Sequence, residues 1–213
     1  MNPLTSTVDG SAGDPPQPPL AADPGLVWKI ANLGVSQAGW LAAVLGAAQG
    51  QVVAGTLVAL AGVAWHLGVV ERPGRELRLV LAVALLGTLA DAAVLHLAAG
   101  AIQHHAGLWS PAWPPYWLSA LWALFATSLN VTLRALRGRG WLGVLLCAAL
   151  GGVAGPLAYA GGVRLGAATF LDIPLALTAL ALEWALMLPL LLALAARWDG
   201  VIGTSPSPKE IRR

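Results

Sequence analysis

Residues 79–99 read LVLAVALLGTLADAAVLHLAA, an apolar run interrupted by a single acid, Asp91. At about 1.5 Å per residue, a helix over this run is roughly 30 Å long, which matches the hydrocarbon core of a bilayer. The run does not alternate with period two over the length a barrel strand would need, so a helix is expected and a β-barrel is not. Five further runs share its character, over 30–48, 52–70, 116–136, 141–163 and 175–196. The turn between the first two is only Gln49, Gly50 and Gln51, which makes them a tight antiparallel hairpin.

The whole composition agrees. Of 213 residues, 57% are hydrophobic and 10% are charged, and the mean hydropathy is +0.72. Soluble domains carry roughly 25% charged residues, so this chain has too few to cover a globular surface. The expected architecture is all-α: a polytopic integral membrane protein, a six-transmembrane-helix bundle over 26–199. The segment 1–25 is rich in Pro, Ser, Gly and Asp and reads as a disordered tail. It lacks the positive start and apolar core of a signal peptide. Residues 200–213 read as a polar C-terminal tail.

Orientation follows from the bases. With the N-terminus in the cytoplasm, Lys29, Arg72, Arg75, Arg78, Arg134, Arg137, Arg139, Arg197, Lys209, Arg212 and Arg213 fall inside, and Arg164 alone falls outside. The positive-inside rule therefore places both termini in the cytoplasm. Trp28, Trp141 and Trp198 then mark the inner boundary, and Trp109, Trp113 and Trp117 the outer one, as amphipathic rings at headgroup depth. The net charge of +2 reflects these helix ends, and no nucleic-acid partner is expected.

Polar groups at membrane depth are costly and need a partner, a cavity or a neutralising proton; insertion scales put a central charge at about 2.5–3.5 kcal/mol. Asp91 in the third span and Glu183 in the sixth come out at nearly the same mid-membrane depth. They read either as a functional pair sharing a proton or ion, or as two carboxyls hydrogen-bonding across helices. Gly87 and Thr88 share the face of Asp91 and direct it inward. A second group, Gln37, His66 and Asn130, lies roughly 6–11 Å from the inner boundary. It continues along the fourth span through Arg134 and Arg137 and suggests a cytoplasmic-side polar pocket with an arginine rim. The alternative is that the arginines are topological anchors and the amides join helices.

In the fifth span, Gly151 and Gly155 form a small face for close packing, and Pro156 is expected to kink the helix. Tyr159 and Arg164 follow towards the outer side, where Arg164 could face an anionic group or simply reach the headgroups. His104 and His105 are adjacent without a third ligand at fixed spacing, Cys147 is alone, and no P-loop, zinc-protease, hydrolase or dinucleotide motif occurs. No metal, cofactor or enzymatic reaction is predicted.

Four segments carry a family resemblance: SQAGWLAAVLGAAQG (36–50), VAWHLG (63–68), LWALFATSLNVTLRALRGRGW (121–141) and GGVAGPLAYAGGVRLGA (151–167). In order and spacing they resemble the small bacterial inner-membrane family DUF2878, a domain of unknown function, over about 30–196. The resemblance implies no particular reaction. Its members are encoded beside enzymes that modify membrane fatty acids, which implies an accessory or lipid-handling role with the bilayer, and a lipid-modifying enzyme, as partners. The alternative from the residues themselves is a proton-coupled small-molecule transporter using Asp91 and Glu183.

Overall fold

A computed structural model describes residues 24–201, apart from 109, 111, 112 and 139. Most of both expected tails, with Trp109 and Arg139, lies outside the described residues. Those described form six helices: α1 (Leu26–Ala48), α2 (Val52–Val69), α3 (Pro73–Leu97), α4 (Tyr116–Leu129), α5 (Gly140–Arg164) and α6 (Ile173–Arg197). All but α4 are long and apolar enough to cross a membrane. The helices run alternately up and down. One end of the bundle carries the start of α1, the α2–α3 turn, the α4–α5 loop and the end of α6; we call it the terminal end.

The opposite end holds a feature that the helical reading omitted. Two short strands, β1 (Ile102–His104) and β2 (Ala168–Phe170), pair antiparallel, with Ile102 opposite Phe170 and His104 opposite Ala168. They tie the α3–α4 loop to the α5–α6 loop. His105 clamps the ribbon, with Nδ1 2.8 Å from the Gly166 carbonyl and Nε2 2.8 Å from Thr169 Oγ1. A carbonyl can only accept, so Nδ1 carries a proton and donates to it, and the threonine hydroxyl can complement Nε2 in either role.

Helix α4 is the central element and packs on α1, α2, α3 and α6, whereas α5 packs mainly on α6. Leu79, Val83, Leu129, Leu180 and Leu191 are fully buried where these helices meet. The outer faces are equally apolar, with Leu81, Leu85, Leu157 and Leu186 all more than 60% exposed. An exterior as oily as the interior suits lipid as the surrounding medium.

The fourth span departs from expectation. Its helix ends at Leu129 and not near 136, so it is only about 21 Å long. The chain unwinds over Asn130–Leu133 and makes one short helical turn, Arg134–Leu136. Irregular backbone at such depth is tolerated only when protein satisfies its polar groups. Here Arg137 donates to the Leu129 carbonyl at 2.8 Å and Arg134 to that of Asn130 at 3.4 Å. Helix α5 continues through Pro156, and α6 through Pro189, without a break in the helix.

Small residues set the closest helix contacts. A Cβ on Gly55 would lie 2.3 Å from the Ala42 carbonyl oxygen, and one on Gly151 2.2 Å from that of Trp184. A Cβ on Gly87 would fall 2.1 Å from the Trp122 ring. Overpacking of this kind costs about 1–3 kcal/mol. We therefore expect Gly87→Ala and Gly151→Ala each to lower the thermal unfolding midpoint in detergent. Gly162→Ala, whose Cβ meets nothing within 4 Å, should leave it unchanged.

Candidate functional site

Three features of the interior carry polar chemistry: an acid pair at mid-bundle, a closed network at the terminal end, and a cavity beside them. Asp91 and Glu183, from α3 and α6, are brought side by side, close enough for the two carboxyls to interact. A contact between two carboxyls is a hydrogen bond only when one of them holds a proton. Asp91 also accepts from Trp122 Nε1 at 2.7 Å and from the Tyr159 hydroxyl. Neither Glu183 oxygen has a hydrogen-bond partner among the described residues. Both acids are more than 90% buried, and neither meets a lysine or arginine among the described residues.

Tyr159 thus belongs to the acid pair. Arg164 lies apart from it, exposed at the far end of α5, and the two do not form the outer-side group expected from their proximity in sequence. The participation of Trp122 was missed. Its one signal was Gly87, one turn before Asp91, which leaves room for the indole to lie against α3.

At the terminal end, His66, Asn130, Arg134 and Arg137 do come together, but around an acid that sequence reasoning passed over. Glu76 is fully buried. Its carboxylate accepts from His66 Nε2 at 3.0 Å, Asn130 Nδ2 at 2.6 Å and the Gly200 N–H at 2.7 Å. In the sequence Glu76 looks like an ordinary charge in the first turn of a helix. Asp199 then bridges Arg134 and Arg137 at 2.9 and 3.1 Å. Burial pulls the Arg137 guanidinium below its usual range and pushes the Asp199 carboxyl up, each opposed by the ion pair. These arginines cap the carbonyl end of α4, where the helix dipole favours cations, and the cluster is packed shut instead of lining an open pocket.

Gln37 stands apart from that network. It is exposed and lines a separate cavity of about 460 Å³ bounded by α1, α4, α5 and the ribbon. The size falls within the usual range of ligand sites. Trp40, Trp117, Leu121, Trp122, Phe125 and Trp184 form much of its wall. Trp117, expected at the lipid boundary, is 97% buried and donates to the Ala106 carbonyl. Trp122 and Trp184 stack with ring centres 4.7 Å apart. Together with Tyr159 they separate the cavity from the acid pair.

With this geometry in view, the profile of proteins of unknown function DUF2878 matches residues 29–190. The chain belongs to the DUF2878 family. No curated protein and no solved structure matches it. In this DUF2878 chain the match spans the acid pair, the cavity helices and the arginines of the α4 end, and stops before Asp199 and Gly200. No group of three or more potential metal ligands occurs among the described residues.

His104 closes the ribbon end of the cavity in the DUF2878 chain, edge-on to Trp117, with Nε2 buried and unpartnered. Burial, aided by the neighbouring His105, lowers it from 6.5 to about 4. A base lowered in the folded state favours its neutral form. Its stabilising contribution is therefore complete above about pH 6.5 and is lost as pH falls towards 4. The unfolding midpoint should decline over that window, and His104→Gln should flatten the decline.

Proposed function

We propose that this chain is a six-span protein of the bacterial inner membrane, with both termini cytoplasmic, that binds and handles membrane lipid. The one-sided distribution of its bases supports the orientation. It also supports α4, extended by its unwound segment and the Arg134–Leu136 turn, as the sixth crossing. The observation that carries the lipid reading is the cavity. Its walls are aromatic and aliphatic, and α1 and α5, which flank it, make no more than marginal contact with each other. A site of this kind is reached sideways from hydrocarbon more readily than from water. A lipid-modifying enzyme docked at the cytoplasmic face extends the same reading.

Lipid extraction of protein purified in detergent tests this. We expect a lipid to co-purify at near one per chain, detected by mass spectrometry, and Ala158→Phe, which fills the cavity, to remove it. An unchanged lipid content in Ala158→Phe would exclude this cavity as the site.

A second reading, a proton-coupled carrier, is favoured by the Asp91–Glu183 contact. It requires a proton that is exchanged during function. Asp91→Asn and Glu183→Gln should then abolish complementation of a deletion strain while the protein still inserts and folds. Full complementation by both variants would leave the pair a purely structural link between α3 and α6.

A further inference from the structure

The chemistry of the cavity narrows what it can hold. Among the described residues, no Asp, Glu, Lys or Arg lines it. The acid pair lies behind Trp122 and Tyr159, and Arg134 and Arg137 are engaged by Asp199 and the α4 carbonyls. His104, at the ribbon end, is held neutral by burial at ordinary pH.

Uncharged polar groups gather at the other end instead. Ser36 and Ser128 lie 3.1 Å apart, oxygen to oxygen, and Thr132 donates to Asn32 at 2.9 Å. Beside them the Gln37 carboxamide, exposed at the cavity, makes no hydrogen bond within the described chain. From Leu33 to Val44 along α1 the lining extends roughly 16 Å, long enough for the greater part of an acyl chain. A carboxylate or phosphate drawn into this site would lose water without gaining a counter-charge, at a cost no neutral head incurs.

We propose that the cavity binds a single-chain amphiphile with an uncharged polar head. The head sits against Gln37, Ser36 and Ser128, and the chain runs past Trp40 and Trp184 towards His104. The ligand enters from the bilayer between α1 and α5. This inference rests on the lipid reading above and adds the class of headgroup and its place.

The test uses the full-length protein in nanodiscs and three probes brominated on the alkyl chain: a long-chain alcohol, the matching fatty acid and the matching alkyl phosphate. Bromine quenches the tryptophans of the cavity wall on binding. At pH 8 the alcohol should quench saturably, with the fatty acid and the phosphate at least ten-fold weaker. Gln37→Leu, a change at an exposed position, should weaken the alcohol about five-fold, the scale of one hydrogen bond. Equal or tighter binding of either anionic probe would overturn the headgroup inference and leave the lipid reading standing. Alcohol binding unaltered by Gln37→Leu would overturn the placement of the head. Saturable quenching by none of the three would overturn the lipid reading itself, and saturable quenching that persists in Ala158→Phe would exclude this cavity as the site.

Discussion

The indole of Trp122 joins the parts of this bundle that would otherwise be independent. Its ring lies against Gly87 of α3, its N–H meets Asp91, its face stacks on Trp184 of α6, and its edge forms cavity wall. A tryptophan in an apolar interior must find an acceptor for its N–H, and a carboxyl at that depth must find donors. Each group removes the other's desolvation penalty. Once α3 and α4 are joined in this way, Glu183 on α6 is brought against Asp91, and Tyr159 on α5 completes the set. The acid pair and the cavity therefore share a wall, and a change in one is felt by the other through Trp122, Tyr159 and Trp184.

A second constraint operates at the terminal end. A helix that stops after 14 residues leaves carbonyls unpaired inside the bundle. Arg134 and Arg137, only a turn or two further along, fold back to satisfy them. Two guanidiniums so placed call for a counter-charge, which Asp199 supplies from beyond α6. Glu76 gathers His66, Asn130 and the backbone of Gly200, so the segment after α6 is drawn into the same knot. Gly200 has to be small there, since a Cβ would lie 2.5 Å from the Arg72 carbonyl oxygen. The knot explains why this end is closed and why the cavity opens along α1 and α5 instead.

Much of this architecture is legible in the order of the residues. Apolar length marks five of the six helices closely, and the Gly151 and Gly155 face proves to be where α5 meets Trp184. Depth counting puts Asp91 and Glu183 at one level, and the structure makes them neighbours. The same method groups Gln37 with His66 and Asn130 wrongly, because equal depth says nothing about azimuth. Gln37 points to the cavity on the other side of α1. The early end of α4 is hidden because Val131, Leu133 and Leu136 continue the apolar pattern through the unwound segment. The β-ribbon is hidden because three-residue strands carry no periodicity to read.

What the sequence determined by itself is the apolar character of the chain and the place of its five long apolar helices, since both follow from transfer free energy summed along local segments. The level of each polar group in the bundle follows as well, from a fixed rise per residue. Which of those groups face one another depends on helix rotation and on which small residues admit which large ones. Gly87 admitting Trp122 and Gly155 admitting Trp184 are pairings between helices distant in the chain. Only the packed tertiary structure decides them, and with them whether an acid meets an acid, an arginine meets a carbonyl, and a cavity remains between α1 and α5.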